Sequence, residues 1–228
     1  FNKLNPLICF AVKANNNTRI LKEISKLGLG ADVVSKGELM AALKSKIDPK
    51  KIVFSGVGKT YQEIEFAAKK KVLLINAESQ SEIEAILKIA RKINRVIDIG
   101  IRLNPNVDAK TIKEITTGKT INKFGLTEKE VIGLINHYKK SKYLNIKCLS
   151  VHIGSQITSH IPYLKMIKAI QKIIDKAKFS FKYIDLGGGM GINYGENNQK
   201  LNYKKYSNQI DKFVKKNKVK VIFEPGRS

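Results

Sequence analysis

Residues 52–92 read IVFSGVGKTYQEIEFAAKKKVLLINAESQSEIEAILKIARK, and this stretch repeats one pattern twice. A short run rich in Val and Ile, at Ile52–Ser55 and again at Val72–Asn76, predicts a buried strand. After each run come a helix-capping signature and then apolar residues three and four apart, which predict a helix with one buried face. Strands that alternate with helices in this way indicate a parallel sheet.

The same alternation extends outward to both ends of the chain without a change in composition, so we predict one domain over residues 1–228. Eight strands, each but the last followed by a helix, predict a (β/α)8 TIM-type barrel with active residues at the carboxyl ends of the strands. A doubly wound open sheet is the alternative, because periodicity does not show closure. The predicted strands are Leu7–Val12, Ala31–Val34, Ile52–Ser55, Val72–Asn76, Val96–Leu103, Ile146–His152, Tyr183–Leu186 and Val219–Glu224.

Helix starts are predicted by Ser/Thr-x-x-Glu capping boxes, in which each pair satisfies two amides. Spacing also predicts a buried face on the first helix, at Ile20, Ile24 and Leu27. One connection, from Asn104 to Gly125, is long enough to suggest function or mobility. The four boxes are Ser35 with Glu38, Thr60 with Glu63, Ser79 with Glu82, and Thr127 with Glu130.

The chain carries 43 Lys and Arg against 19 Asp and Glu, a formal net charge of +24. The lysines recur along helical stretches, Trp is absent and the aromatic residues do not interleave with basic ones, so a lysine-rich solvated surface is favoured over a nucleic-acid site. Cys9 and Cys148 lie in apolar runs, which predicts buried reduced thiols and a cytoplasmic setting. No stretch approaches the apolar length of a membrane helix.

Lys13 ends the first strand, so the barrel places its amine at the mouth, where it could reach a bound aldehyde. Partial burial should lower its pKa toward the nucleophilic form, although any one of many lysines is more simply a surface charge. Strand seven ends in Asp185-Leu-Gly-Gly-Gly-Met-Gly191, and successive glycine amides suit an anion. The loops after strands seven and eight are also where such barrels hold phosphate, although a tight turn or a dinucleotide loop would show glycines too.

Glu224 ends the last strand, where an unpaired carboxylate would be costly. Arg227 could pair with it structurally, and the ring nitrogen of a cofactor is the functional alternative. His152 and Ser155 follow strand six and should lie at the same mouth, although a lone His is more often a satisfied core residue. No His, Cys or carboxylate stands near His152 at ligand spacing, so we predict no metal site.

Taken together, a series of motifs resembles the diaminopimelate decarboxylase family, part of the alanine-racemase-like (fold type III) group of pyridoxal-phosphate enzymes. The resemblance covers essentially the whole chain. The motifs are Phe10-Ala-Val-Lys-Ala-Asn15, Ala31-Asp-Val-Val-Ser35, Phe54-Ser-Gly-Val-Gly-Lys59, Asn104-Pro-Asn-Val-Asp-Ala109, Lys123-Phe-Gly125, His152-Ile-Gly-Ser-Gln156, Asp185-Leu-Gly-Gly-Gly189 and Glu224-Pro-Gly-Arg-Ser228.

The resemblance implies that Lys13 binds pyridoxal 5′-phosphate as a Schiff base and that His152 stacks on the ring. Glu224 would pair with the ring nitrogen, and Arg227 would hold a substrate carboxylate. The phosphate would be held by Ser155, Gly187, Gly188, Gly189 and the region of Gly226 and Arg227.

The implied reaction is decarboxylation of meso-2,6-diaminopimelate to L-lysine and CO2, in lysine biosynthesis. The family carries a second, β-rich domain that completes the site across a homodimer, and this domain is absent from residues 1–228. We therefore expect a piece of a longer polypeptide that is poorly active alone. An ornithine- or lysine-type decarboxylase of the same group is the first alternative, a non-catalytic pyridoxal-phosphate-binding protein the second, and a nucleic-acid-binding module the last.

Overall fold

Eight parallel strands form a closed barrel in the computed structural model of the chain, which describes residues 4–108, 124–192 and 201–227. Each strand pairs with the next along the chain, and β1 pairs with β8 through Leu7 and Ile222, so the open-sheet alternative is wrong. The strands are β1 Leu7–Ala11, β2 Gly30–Val33, β3 Ile52–Phe54, β4 Leu74–Ala77, β5 Ile97–Leu103, β6 Leu144–Val151, β7 Tyr183–Asp185 and β8 Lys220–Phe223.

All eight predicted strands are confirmed, and the largest differences are at their first residues. β4 begins at Leu74 rather than Val72, and β6 begins at Leu144 rather than Ile146. The helices of the described residues surround the barrel. They are α1 Thr18–Lys26, α2 Lys36–Lys44, α3 Tyr61–Lys70, α4 Gln80–Lys92, α5 Glu128–Tyr138, α6 Ile161–Ala177 and α7 Tyr203–Asn217.

The four predicted capping residues do begin helices, but the full box forms at only two of them. Thr60 and Thr127 each exchange both bonds with the glutamate three residues on. Ser35 and Ser79 also accept from the N3 amide, yet there the glutamate side chain accepts from the amide of the residue before the cap, Val34 or Glu78. Two amides are satisfied in every case, as predicted, but not always the same two.

The buried face predicted for α1 is wrong in detail. Leu21 is fully buried, whereas Ile20 is 39% exposed and Leu27, just past the helix end, is 72% exposed. Ile24 is partly buried against the core. The helix is therefore rotated so that its contact with the barrel centres on Leu21, which spacing alone did not select.

The interior of the barrel changes character along the strands. Alternate strand residues point inward, so a step of two residues leads from one interior layer to the next. The lower layer is apolar and consists of Cys9, Val53, Leu74, Cys148 and Ile222. Toward the carboxyl ends of the strands the buried residues become polar and include Asp32, Asn76, Ser150 and Asp185.

Parts of two predicted features lie outside the described residues. The long connection after β5 includes residues 109–123, and the motif residues Ala109, Lys123 and Ser228 are likewise not described. Among the described helices, none combines the length and apolar character needed to cross a membrane.

Candidate active site

Lys13 lies directly after β1, in a short 3-10 turn at the carboxyl-terminal mouth of the barrel, as predicted. Its Nζ lies 2.7 Å from Oδ2 of Asp32, a fully buried carboxylate on β2. The Lys13 side chain is 56% exposed. The amine is therefore open to a small molecule while the ion pair fixes its position.

The protonation state of Lys13 differs from the prediction. Burial does lower the pKa of the amine, but the charge and hydrogen bond of Asp32, with the charge of Glu224, outweigh it, and the pKa is raised. The predicted lowering is wrong because sequence reading did not assign a partner to this lysine. Before Lys13 can act as a nucleophile it must lose a proton, and Oδ2 of Asp32 is placed to accept it.

Asp185, the last residue of β7, is the centre of the buried polar layer. Asn76 Nδ2 (3.2 Å) and Ser150 Oγ (3.0 Å) donate to its Oδ2, and the Gly187 amide (2.9 Å) donates to its Oδ1. Gly100 on β5 leaves room for Asn76, since a Cβ there would lie 1.9 Å from Oδ1 of Asn76. Burial raises the pKa of Asp185, and the three donors, the Gly187 amide first among them, act against that rise by favouring the ionised form.

Glu224 follows β8 and reaches the same interior. Its amide donates to the Gly187 carbonyl (2.9 Å) beside Asp185, and its Oε1 is buried without a partner among the described residues. Burial raises the pKa of Glu224 well above its ordinary value, and the charges of Asp185 and Asp32 raise it further. Arg227 is exposed, and no ion pair of the described residues joins it to Glu224. The pairing with Arg227 that the sequence allowed is therefore not the one formed.

His152 follows β6 and is a neutral imidazole. The Gly188 amide donates to its Nδ1 (3.4 Å), which leaves the ring proton on Nε2. Burial, and then the positive charges of Arg102 and Lys13, lower the pKa of His152 to about 3. The side chain thus contacts the loop after β7, at the mouth where the sequence placed it.

The three successive glycines after β7 allow three loops to pack closely. A Cβ at Gly188 would lie 2.1 Å from the carbonyl oxygen of Glu224, and one at Gly189 would lie 2.0 Å from that of Gly154. The amides of Gly187 and Gly188 donate to Asp185 and His152. These two amides are thus already hydrogen-bonded within the protein. The glycine run therefore offers fewer amide donors to an anion than its sequence predicts.

The loops after β6, β7 and β8 form one side of the mouth. Ile157 donates to the Gly189 carbonyl (2.9 Å) and accepts from the Gly191 amide (3.1 Å), so the Ser155 loop lies against the glycine run. The Ala11 amide donates to the Pro225 carbonyl (2.9 Å), which joins the end of β1 to the loop carrying Gly226. Lys13, Ser155, Gly189 and Gly226 therefore belong to one continuous rim.

A second polar network lies on the other side of the mouth. The fully buried Lys59 pairs with Glu82 (2.8 Å) and donates to the carbonyls of Asn76 (2.9 Å) and Gly56. Arg102 Nη1 lies 2.6 Å from Oε1 of Glu78. This network fixes the loops after β3 and β4. Within the described ranges, no three His, Cys, Asp or Glu side chains are arranged to hold a metal ion.

Several of these residues were missed at the sequence level. Asp32 and Asp185 stood inside motifs without a role, and Asn76, Ser150 and Lys59 were not singled out. An acid inside an apolar strand run was the available signal. This argument was applied to Glu224, and it applies equally to Asp32 in Ala31-Asp-Val-Val. The side chains that pair with such an acid come from other strands, so they depend on contacts across the barrel.

Residues 2–228 match the family model described as "Pyridoxal-dependent decarboxylase, pyridoxal binding domain". The chain therefore belongs to this family. The match covers nearly all of the chain.

Among individual proteins, the chain is similar to diaminopimelate decarboxylases. It is 39% identical to that of Neisseria meningitidis serogroup B, covering 100% of this chain and 56% of the relative. It is 42% identical to that of Helicobacter pylori strain J99, covering 100% and 57%. The solved diaminopimelate decarboxylase from Helicobacter pylori complexed with L-lysine superposes with a TM-score of 0.95 at 39% identity, over 100% of this chain and 58% of that one. The chain thus spans little more than half the length of these relatives.

Proposed function

We propose that these residues form the cofactor-binding barrel of a pyridoxal-phosphate-dependent decarboxylase that converts meso-2,6-diaminopimelate to L-lysine and CO2. One observation carries the proposal: at a single barrel mouth, Lys13 is held by buried Asp32 while Glu224 presents a buried carboxyl oxygen without a partner among the described residues. The similarity to diaminopimelate decarboxylases over the full chain supports this substrate.

The residues present fit pyridoxal phosphate in three respects. An aldehyde needs an accessible amine, which Lys13 supplies. A pyridine nitrogen needs an acidic partner, and the unpartnered Oε1 of Glu224 meets that need. A phosphate needs several donors, for which the Ser155 hydroxyl and the rim at Gly189 and Gly226 are suited. When bound, pyridoxal phosphate supplies an aldehyde that condenses with amines and a protonated ring that accepts the electron pair left by departing CO2.

Lys13 and Asp32 act together in this scheme. Asp32 would accept the proton of the Lys13 ammonium across 2.7 Å, and the amine freed in this way would be the group that holds the cofactor aldehyde. Whenever Lys13 does not hold the cofactor, it would re-form its ion pair with Asp32. Because Asp32 is fully buried, solvent does not compete for this contact.

Glu224 and His152 are the residues that would contact the ring of a bound cofactor. Glu224, just after β8, would hold a proton and share it with the ring nitrogen. His152, fixed by the Gly188 amide and kept neutral, would offer its face to the ring without adding a charge. Arg227, exposed beyond the last strand, is the proposed partner for a substrate carboxylate.

The hydrogen bonds of the glycine run change which residues we expect to hold the phosphate. Gly187 and Gly188 would shape the phosphate site by packing rather than donate to it, since their amides already donate to Asp185 and His152. Ser155, Gly189 and Gly226 are left as the main phosphate donors, with Arg227 nearby. This division follows from the hydrogen bonds of the glycine run rather than from its sequence.

The cellular setting is also a proposal. Cys9 and Cys148 are free and buried, and burial raises both thiol pKa values well above the ordinary one, so neither is a reactive thiolate. Reduced structural thiols suit the cytoplasm. We further propose a homodimer for the complete protein, the state that the family resemblance implies.

The first test concerns the attachment of the cofactor. We expect the protein to take up pyridoxal phosphate with a visible absorption band that Lys13→Ala abolishes, because the Lys13 amine is both 56% exposed at the mouth and held by a fully buried carboxylate. Lys22→Ala, an exposed lysine on nearby α1, is the control and should keep the band. An unchanged band in Lys13→Ala would move the linkage to another residue.

The second test concerns the substrate. The complete polypeptide that contains these residues is assayed for CO2 release from meso-2,6-diaminopimelate, L-lysine and L-ornithine. We expect diaminopimelate to have by far the highest kcat/KM. Faster turnover of lysine or ornithine would establish the alternative decarboxylase, and cofactor uptake without release of CO2 from any of them would favour a non-catalytic binding protein.

A further inference from the structure

Two carboxyl groups, Asp185 at the end of β7 and Glu224 after β8, lie side by side inside the barrel, because Gly187 accepts from the Glu224 amide (2.9 Å) and donates its own amide to Asp185 (2.9 Å). Asp185 is 0% exposed, and Oε1 of Glu224 is also shielded from solvent. Two adjacent carboxylates in a poorly solvated interior strongly resist ionising together. The pair therefore holds one proton.

The two members of the pair are unequal, because their hydrogen-bond donors are unequal. Asp185 accepts from Asn76, Ser150 and the Gly187 amide, and all three bonds favour its anion. Glu224 Oε1 accepts no bond from the described residues. The proton consequently resides on Glu224, and Asp185 is the ionised member.

We propose that Asp185 is a positioning residue that keeps this proton on Glu224 for transfer to the ring nitrogen of pyridoxal phosphate. The inference rests on the proposed function and deepens it, since Asp185 acts through Glu224. On binding, the Glu224 carboxyl would lose its proton and become a carboxylate, the ring nitrogen would gain that proton, and none would be taken from solvent. The negative charge on Asp185 then disfavours loss of the proton from the pair that Glu224 forms with the ring nitrogen.

Other titratable groups around the pair do not replace Asp185 in this role. Asp32 adds a second negative charge, but Lys13 lies against it and offsets it. The thiols below the pair are neutral because burial raises their pKa values, and the imidazole above it is neutral because burial lowers its pKa. The surrounding groups are Cys9 on β1 and Lys13 just after it, Asp32 on β2, and Cys148 on β6 and His152 just after it.

The test uses 4-deoxypyridoxine 5′-phosphate, which has the ring and phosphate of the cofactor but no aldehyde. Its near-ultraviolet absorption reports whether the ring nitrogen is protonated, so a pH titration of the bound probe measures the proton affinity of the site without any turnover. For Asp185→Asn we expect the bound ring to lose its proton at a pH lower by ~1 unit or more, the effect of removing one adjacent charge. Ser150→Ala, which removes one donor from Asp185, should give a smaller shift in the same direction.

Asp98→Asn is the matched control, because Asp98 is near the start of β5 and pairs with Lys147 (2.6 Å) at the opposite end of the barrel. It loses the same charge and should leave the titration unchanged. A purely structural Asp185 would weaken binding without moving the titration, and that result overturns the inference while the proposed function stands. If wild-type protein binds neither the probe nor pyridoxal phosphate, both are overturned. Should Asp185→Asn fail to fold, an unshifted titration in Ser150→Ala overturns the inference.

Discussion

Three carboxyl groups lie inside the mouth of the barrel, and each has different neighbours. Asp32 forms an ion pair with Lys13, Asp185 accepts three neutral donors, and Glu224 has a carboxyl oxygen with no donor among the described residues. In the proposed function the same functional group would serve as a proton acceptor, as a fixed anion and as a proton donor. The surroundings of each carboxyl group, rather than its residue type, would assign these roles.

His152 gives a prediction about acid stability. Its pKa in the folded protein is about 3 against 6.5 for an ordinary histidine, so as pH falls the unfolded chain takes up the proton first. The stabilisation is therefore complete above pH 6.5 and is lost between pH 6.5 and about 3, up to on the order of 4 kcal/mol. Urea unfolding at a series of pH values measures this loss.

The control for this prediction is His152→Asn, whose side-chain oxygen can still accept from the Gly188 amide but does not titrate. The free energy of unfolding of this variant should fall less steeply between pH 6.5 and 4 than that of the wild type. Parallel curves for the two proteins would show that His152 titrates normally in the folded state.

At the residue scale, the sequence located side chains at the mouth but did not give their partners. Lys13, His152 and Glu224 were found because each ends a predicted strand, and strand ends of a parallel barrel meet at one face. The pKa of Lys13 was predicted in the wrong direction because Asp32 comes from a different strand. Contacts across the interior depend on barrel register, which local patterns do not encode.

Among the elements, the loops after β6, β7 and β8 are the most tightly constrained. The glycine run passes between the Gly154 carbonyl and the Glu224 carbonyl with no room for a Cβ. Gly189 also has a φ of +81°, a conformation that disfavours residues with side chains. The close approach brings the His152 and Glu224 loops to the same rim, so the loop geometry and the site depend on each other.

Two glycine substitutions should therefore have opposite effects on stability. Gly189→Ala places a Cβ 2.0 Å from the Gly154 carbonyl oxygen, and we expect a loss of several kcal/mol, about 3 or more. Gly133→Ala, in the middle of α5 where a Cβ meets nothing within 4 Å, should stabilise by about 0.5–1 kcal/mol. Thermal and urea unfolding of both variants measure the difference. Equal effects would mean that packing does not explain the glycine run.

Element boundaries were predictable because local rules agree with the tertiary fold. All eight strands and the four capped helix starts followed from apolar runs and Ser/Thr-x-x-Glu spacing. Local rules did not predict which side chains are buried where packing against the barrel sets the orientation of a helix or a loop. Ile20 and Leu27 have helical spacing but are exposed, because Leu21 faces the barrel instead. Lys59 resembles a surface lysine in sequence, yet it is fully buried between two loops.

The whole molecule combines a closed barrel with a large excess of positive charge. The 43 Lys and Arg exceed the 19 Asp and Glu by 24, so much of the positive charge has no negative charge to offset it. Pairs such as Lys172 and Lys176 with Glu128 offset only part of this repulsion, since exposed pairs contribute little. A compact state with such a charge is destabilised by its own field.

Salt should therefore stabilise this protein. The screening length falls from about 30 Å at 0.01 M to about 10 Å at 0.1 M ionic strength, so repulsion between distant lysines weakens while the buried Lys59–Glu82 pair is hardly affected. We expect the Tm to rise over this range of NaCl and then level off, with sucrose as an uncharged control that lacks the plateau. A Tm that falls with NaCl would mean that surface ion pairs outweigh the repulsion. We expect no specific nucleic-acid partner, and by the same reasoning any binding to the lysine surface should be weak and salt-sensitive; a sequence-selective complex that persists at high salt would contradict this expectation.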